Sequence, residues 1–225
     1  MRSASRLRTL ASDNTSVFIL AVLLCLCVFF VSNLYTKANL TQLLLEISIY
    51  GMLAVGLSLV MLSGVIDLSI GYVMGAAAVI ITGVLNATGS LPLAILLGLL
   101  AGVVMGGING LLITKAGINP LIATIAMSYI YSGFINLWTN GSSLRATDMA
   151  LHDIYSHKLF GISFINITLV CFIVFLFVLG FVMRRTDFGN SIYVSGGNDE
   201  AGMLSGIPTN TIRLVCYILC GLCCA

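Results

Sequence analysis

The chain carries very little charge. Of its 225 residues, 8% are Asp, Glu, Lys or Arg, whereas soluble domains carry about 25%. Hydrophobic residues make up 59% of the sequence, and the mean hydropathy is +1.10. A soluble fold cannot remove this much apolar surface from water, so the composition indicates an integral membrane protein.

Other scarcities exclude further classes of function. The net charge is only +2 and no basic cluster interleaved with aromatic residues occurs, so no nucleic-acid partner is expected. The two histidines, His152 and His157, are five residues apart and do not share a helix face. The seven cysteines lie in apolar runs, and Cys220-x-x-Cys223 lacks a second pair of ligands. No metal site is therefore predicted, and the cysteines are expected to pack as small apolar side chains.

Long apolar runs dominate what is present. They predict an all-α, polytopic transmembrane helical bundle with about six complete spans, a partial seventh, and a discontinuous helix near residues 63–71. The last run begins after Arg213 and leaves only 12 residues, fewer than the roughly 20 that a span needs. Residues 1–225 are thus expected to form a single, incomplete transmembrane domain. The complete runs cover residues 17–34, 40–62, 91–114, 120–138 and 164–183, and a third run follows the stretch 63–71 and ends at Leu85.

Asp67 interrupts apolar sequence on both sides, within the stretch SGVIDLSIG of residues 63–71. An aspartate at the membrane centre costs about 2.5–3.5 kcal/mol on insertion scales, so it needs polar partners or water. One interpretation is a plain interfacial cap at the end of a span. The alternative is a helix broken at Gly64 that lines a cavity, with Asp67 or Ser69 capping the helix that follows the break. The residues alone leave both open.

The run 91–114 carries glycines at a regular interval of four. Such a stripe makes a groove along one helix face in which another backbone can pack closely. Asn109 lies in the same turns and is expected to hydrogen-bond across the contact. After this run, Asn119 and Pro120 have the pattern of a helix cap followed by a first-turn proline. The predicted packing glycines are Gly98, Gly102, Gly106 and Gly110.

Positive charge predicts the orientation. With the N-terminus inside and one crossing for each run, seven Lys or Arg residues fall inside and three outside. This asymmetry follows the positive-inside rule. It predicts a cytoplasmic N-terminus in a cell membrane and places residues 184–210 in the cytoplasm.

Within residues 184–210, a short helix is predicted over residues 198–206. Asn198 is its expected cap, Gly206 suits a left-handed residue after the last turn, and Pro208 prevents continuation. About seven helical residues are too few to be stable alone in water. The segment is therefore either a docking helix for a partner's groove or a solvated loop. The residues expected near one apolar face are Ala201, Leu204 and Ile207.

Three stretches together resemble one family. SGVIDLSIG (63–71) resembles the GGIDLSVG signature of ribose-type and simple-sugar permeases of ATP-binding-cassette importers. GGING (106–110) with INPLIAT (118–124) resembles their GxxNG…PFIxTLG segment. RRTDFG (184–189), YVSGGN (193–198) and the residues up to Ile207 resemble their cytoplasmic loop. The order and spacing of all three match.

The resemblance implies a permease subunit that forms a translocation pathway for a sugar and catalyses no reaction. Such a chain pairs with a second permease subunit, a cytoplasmic ATPase and an extracytoplasmic sugar-binding protein. ATP would be hydrolysed by the ATPase, and no cofactor is expected on this chain, which has no GxxxxGK[ST] loop. The translocation pathway would be bordered by Gly64, Asp67, Ser69, Asn109 and Asn119. The 184–210 coupling loop would contact the ATPase through Thr186, Phe188, Gly189, Gly196, Gly197, Asn198, Glu200, Ala201, Leu204, Ser205, Gly206 and Ile207.

Two alternatives remain. A secondary transporter needs several intramembrane charges for ion coupling, and only Glu46 and Asp67 are available. Because the permeases of the resembling family are longer, a truncated fragment that inserts but does not transport is the second alternative.

Overall fold

The computed structural model describes residues 15–31, 33–147 and 167–225. This part of the chain is helical and contains no strand, as the composition predicts. His152 and His157, for which no metal site was predicted, lie outside the described residues. The helices are α1 (Thr15–Phe30), α2 (Lys37–Leu62), α3 (Ile70–Thr88), α4 (Leu91–Thr114), α5 (Pro120–Thr139), α6 (Ile167–Arg185), α7 (Asp187–Gly197), α8 (Asp199–Leu204) and α9 (Thr209–Cys224).

Five helices of the described ranges, α2 to α6, are long and apolar enough to cross a membrane. Within the same described ranges, α1 and α9 are shorter, with 16 residues each. The polytopic helical architecture predicted from the apolar runs is therefore confirmed. The predicted number of six complete spans and one partial span is not established by these lengths.

Contacts divide the chain into two units, one up to Leu44 and one from Leu45 to Ala225. In the first, the turn between α1 and α2 is closed by Asn39, whose Nδ2 donates to the Leu34 carbonyl at 2.9 Å. Thr36 Oγ1 donates to the Asn33 carbonyl at 2.9 Å. These bonds satisfy two carbonyls of the turn, which lies outside both helices.

In the second unit, α4 is the central helix and contacts α3, α5 and α9. One apolar cluster joins α2, α3, α4, α5, α7 and α9, together with Met183 near the end of α6, around fully buried side chains such as Leu59, Val60 and Tyr217. α6 is packed differently, because it contacts α7 and leaves Phe177 and Phe181 largely exposed. Exposed apolar side chains of this kind are expected where a helix faces lipid.

Local signals explain where the helices begin and end. Asn119 Oδ1 accepts from the Leu121 amide at 3.0 Å, with Pro120 in the first turn of α5, as predicted. Gly89 is the C-cap residue of α3 and Asn140 that of α5, and both have positive φ, which is the conformation that closes a helix.

Residues 63–69 are not helical and separate α2 from α3. Gly64 has φ +86°, in the left-handed region that glycine adopts without a steric penalty. The predicted discontinuity near residues 63–71 is therefore confirmed, and we call residues 63–69 the break.

Residues 184–210 contain two helices rather than one. The predicted short helix is α8, but α7 precedes it and was not predicted, because GNSIYVSGG combines poor helix formers. The start of the last helix also differs from the expectation, which placed the partial span after Arg213. α9 begins at Thr209, so Arg213 lies inside the helix and is half-buried rather than in the preceding loop.

Candidate functional site

The break leaves backbone carbonyls without helical partners, and three side chains from two other helices bind some of them. Arg213 Nε donates to the Ser63 carbonyl at 3.2 Å, and the Tyr217 hydroxyl donates to the Ile66 carbonyl at 2.7 Å. Ser128 Oγ approaches the Leu68 carbonyl at 3.4 Å. Irregular backbone is tolerated at membrane depth only where protein or water satisfies it. α9 and α5 supply that satisfaction here.

Asp67 is buried in the same place and is held by Ser69. Its Oδ1 accepts from the Ser69 amide at 2.8 Å and from the Ser69 hydroxyl at 2.7 Å. Asn109 Nδ2 donates to Ser69 Oγ at 2.7 Å, and the Tyr131 hydroxyl donates towards Asn109 Oδ1 at 3.1 Å. All four residues are at most 5% exposed. The carboxylate thus has protein partners, as its depth requires.

This network, Asp67–Ser69–Asn109–Tyr131, explains one difference from the sequence prediction. Ser69 occupies the N-cap position of α3, but its side chain makes no capping bond. Its hydroxyl is used by Asp67 and Asn109 instead. The break is thus a helix interruption with interhelical partners. Ser69 lies at the N-cap position, as expected for one of the two candidate residues, but it makes no side-chain capping bond.

The five predicted pathway residues do not form one group. Asp67, Ser69 and Asn109 are in hydrogen-bonded contact, and Gly64 lies at the start of the same break. Asn119 is exposed and caps α5. The three joined side chains bond to one another, so in this conformation their polar atoms hold the break against α4.

Sequence reasoning missed several residues here. Tyr131 was not among the expected site residues, yet it is 5% exposed and its hydroxyl also approaches the Met105 carbonyl at 3.0 Å. Tyr217 and Arg213 were not singled out. Their four-residue spacing on α9, continued at Gly221, is the sequence signal that places them on one helix face.

The glycine stripe of α4 faces other helices closely, as predicted. A Cβ on Gly106 would meet the Tyr217 carbonyl, and a Cβ on Gly102 would meet the Gly221 carbonyl. Gly110 lies against Leu214 and Tyr217, whereas Gly98 lies against Ile81 of α3. α4 and α9 are therefore antiparallel, since contacts move towards the end of α9 as they move towards the start of α4.

α8 has the capping that its sequence predicts. Asn198 Oδ1 accepts from the Ala201 amide at 3.0 Å, and Gly206 has φ +82°. Ser205 lies at the C-cap and its hydroxyl donates to the Ala201 carbonyl at 2.8 Å. Asn198 also ends α7, so a single residue separates the two helices.

The exposed face of α8 differs from the predicted one. Leu204 is 91% exposed and Met203 is 60% exposed, and Glu200 and Ala201 are exposed beside them. Gly202 is on the opposite, buried face, where a Cβ would stand 3.1 Å from Thr209 Cγ2. Ile207 was expected on the apolar face but packs against the core, because the chain turns at Gly206. We call Glu200, Ala201, Met203 and Leu204 the α8 face.

α7 carries the other predicted coupling residues. Thr186 caps it, with Oγ1 accepting from the Gly189 amide at 3.2 Å, and Phe188 packs partly buried against the core. Gly189 lies tightly against the backbone of Met183. A Cβ on Gly196 would meet the Leu62 carbonyl, whereas a Cβ on Gly197 would have no atom within 4 Å. The two neighbouring glycines therefore have different environments.

Asp199 and Arg213 form an ion pair at 2.9 Å, with side chains 42% and 16% exposed. The nearby Thr209 hydroxyl and then the Arg213 guanidinium hold the pKa of the Asp199 carboxyl below its usual value, against partial desolvation. Asp199 is also in the first turn of α8, where a negative charge is favoured by the helix dipole.

Comparison with known proteins assigns this arrangement to a family. The model of the branched-chain amino acid transport system / permease component family matches residues 39–225. The chain belongs to this family. It is therefore a multi-pass membrane protein related to transport permeases.

Curated relatives of this permease chain are named for sugar import. It is 35% identical over 205 residues to the L-arabinose transport system permease protein AraH of Escherichia coli K12, covering 91% of this chain and 61% of the relative. It is 34% identical over 193 residues to the L-arabinose ABC transporter permease protein AraH of Azospirillum brasilense, covering 85% and 56%. It is 33% identical over 190 residues to the ribose import permease protein RbsC of Bacillus subtilis 168, covering 82% and 57%.

The chain thus spans somewhat more than half the length of these curated relatives. No solved structure matches it.

Proposed function

We propose that this chain is a membrane-spanning permease subunit of an ATP-driven importer for small sugars. The observation that carries this proposal is the α8 face on a short helix that is capped at both ends and tied to the bundle by the Asp199–Arg213 pair. A helix of six residues is not stable alone, so its apolar exposure is best explained by a partner's groove.

The relatives support the substrate class. Those reported above are named for L-arabinose and ribose, and another, from Escherichia coli SMS-3-5, is named for autoinducer 2. In this proposal the chain works with a second permease subunit and an extracytoplasmic sugar-binding protein. A cytoplasmic ATPase binds the α8 face and hydrolyses the ATP, so the chain itself is not an enzyme and needs no cofactor.

The orientation belongs to the same proposal. The chain lies in the cell membrane with a cytoplasmic N-terminus, and α7 and α8 face the cytoplasm. Positive charge supports this, since Arg184 and Arg185 end α6 directly before α7. A membrane-impermeant label on a cysteine introduced at Glu200 should react only from the cytoplasmic side. Labelling from the opposite side would overturn the proposal.

The docking step is tested with a photocrosslinking amino acid at Leu204, in cells of the source organism. The captured protein should be identified by mass spectrometry as an ATPase with a GxxxxGK[ST] phosphate loop. The matched control is the same amino acid at Leu137, which is 83% exposed but lies on α5. Capture of the ATPase from both positions, or from neither, would contradict docking through the α8 face.

The sugar step is tested in vesicles that contain the complete transporter. ATP-dependent uptake is expected for one member of a panel of pentoses, hexoses and autoinducer-type furanoses. Uptake that follows an ion gradient without any ATPase would instead identify a secondary transporter.

A further inference from the structure

Arg213 lies where four segments of the chain meet. It is in the second turn of α9, and its guanidinium donates through three different nitrogens. Nε reaches the Ser63 carbonyl at 3.2 Å, Nη1 reaches Asp199 Oδ2 at 2.9 Å, and Nη2 reaches the Ser195 carbonyl at 3.2 Å. One side chain thus joins the end of α2, the last turn of α7 and the first turn of α8.

The acceptors are groups that a cation stabilises well. Ser63 follows the last residue of α2, and Ser195 is in the last turn of α7, where carbonyls lack intrahelical partners and carry partial negative charge. Asp199 adds a full charge. A planar guanidinium presents donors in several fixed directions, whereas the ammonium of lysine is a compact point charge. Three separated acceptors therefore require arginine.

The backbones around this point are also in direct contact. A Cβ on Gly196 would meet the Leu62 carbonyl, and a Cβ on Gly64 would stand 3.1 Å from the Gly196 Cα. No side chain therefore separates the backbone at the end of α7 from the backbone at the start of the break. Close backbone packing transmits displacement because it cannot be compressed.

The break continues from Ser63 into the Asp67–Ser69–Asn109–Tyr131 network within four residues. α9 holds this stretch a second time, because Tyr217 donates to the Ile66 carbonyl at 2.7 Å. Ser63 and Ile66 are thus fixed by two residues of α9 that are one turn apart. A shift of Ser63 has to move the backbone that carries Asp67.

We propose that Arg213 is the positioning residue that couples α8 to the break, so that movement of α8 shifts the Ser63–Ser69 backbone and its buried polar network. This inference rests on the proposed function for the origin of the movement, since the α8 face is where the ATPase binds. Arg213 touches neither the sugar nor the ATPase and acts through the helix ends that it joins.

Amide hydrogen exchange of the whole chain in lipid nanodiscs tests this without any partner. Asn198→Ala removes the capping hydrogen bond of α8 and so destabilises that helix without changing any residue of the break. When this substitution is made in the otherwise wild-type chain, the amides of residues 63–69 should exchange about threefold faster or more than in the wild type, because coupling between two sites is reciprocal. In the Arg213→Lys background, the same cap removal should change their exchange less than about 1.5-fold.

A purely structural role for Arg213 predicts a different result. It would raise exchange at residues 63–69 in Arg213→Lys, but the added effect of Asn198→Ala would be the same in both backgrounds. Equal effects, or no effect of Asn198→Ala on residues 63–69 in the wild type, would overturn the inference. The amides of α5 serve as an internal reference for global unfolding.

A second variant covers the case in which Arg213→Lys does not fold. Asp199→Asn keeps both carbonyl contacts of Arg213 and removes only the ion pair with α8. In the Asp199→Asn background, the effect of Asn198→Ala on exchange at residues 63–69 should be intermediate between its effects in the wild-type and Arg213→Lys backgrounds. An effect as large as in the wild type would again overturn the inference.

The two proposals fail separately. Suppose that the crosslinker at Leu204 captures no ATPase, but the effect of Asn198→Ala on exchange at residues 63–69 depends on Arg213. The docking proposal is then wrong, and the Arg213 link stands as a property of the fold. If the ATPase is captured and the effect of Asn198→Ala does not depend on Arg213, docking stands and the Arg213 link is wrong.

Discussion

Gly102 of α4 and Gly221 of α9 lie against each other's backbone. A Cβ on either residue would meet the other's carbonyl oxygen. Glycine at both positions lets the two helices pack closely without an intervening side chain, which is the way that small residues join helices in lipid. The same contact continues one turn away, where Gly106 lies against the Tyr217 carbonyl.

Gly106→Ala should therefore destabilise the α4–α9 contact. The added Cβ meets a backbone carbonyl that cannot rotate away, and overpacking of this kind costs about 1–3 kcal/mol. The measurement is the thermal unfolding midpoint in detergent or nanodiscs. Gly107→Ala is the matched control, because its Cβ would stand 3.7 Å from Ile218 Cγ1, an ordinary contact. Equal midpoints for the two variants would refute the close packing.

Gly196→Ala should disturb the contact between α7 and the end of α2. The new Cβ meets the Leu62 carbonyl, so the two backbones have to separate. We expect a loss of about 1–3 kcal/mol in the free energy of unfolding. Gly197→Ala, one residue later, has no atom within 4 Å of its Cβ and should change stability by less than about 0.5 kcal/mol. Denaturant titration of both variants decides the matter, and a larger loss for Gly197→Ala would contradict the structure.

Tyr131→Phe tests the buried polar network. The substitution removes the hydroxyl that approaches Asn109 Oδ1 and the Met105 carbonyl, leaving a buried amide oxygen without this donor. A buried polar atom left unsatisfied costs about 1–3 kcal/mol. Tyr129→Phe is the control, since Tyr129 is 74% exposed two residues earlier on the same helix. If both variants unfold at the same temperature, the Tyr131 hydroxyl makes no net contribution.

The Asp199 carboxyl should make stability depend on acid pH. Because its pKa is lowered in the folded chain, its contribution is fully present above the unfolded value of about 3.9. That contribution is lost as the pH falls through the folded pKa. Thermal unfolding of Asp199→Asn and wild type between pH 7 and pH 3 should therefore differ most at neutral pH and converge in acid. A difference that is constant over this range would show that the carboxylate is not responsible.

Strong local signals were enough for much of this fold. Apolar runs predict α2 to α6, and Asn119, Asn198 and Gly206 predict the helix ends at which the structure places them. Each of these features depends on a few neighbouring residues, through side-chain polarity or a capping bond. The four-residue glycine interval likewise predicts close helix packing, although not which helix fills the groove.

Features that depend on distant residues were not predicted. α7 is held by contacts of Gly189 and Gly196 with other helices, which override its poor helix propensity. Tyr131 and Tyr217 are polar at one end and apolar at the other, so the sequence alone does not show whether they face the interface or the core. The direction of Ile207 depends on the turn at Gly206 and on the packing of α9.

α9 contacts its surroundings through one face, with Arg213, Tyr217 and Gly221 one turn apart. These residues meet three different elements, namely the ends around residues 63 and 195–199, the break at Ile66, and the α4 backbone. A twist of α9 about its own axis by one residue, which is about 100°, would release all three together. α9 therefore cannot rotate about its own axis without losing these contacts, so a movement that keeps them has to tilt the helix or slide it along its axis.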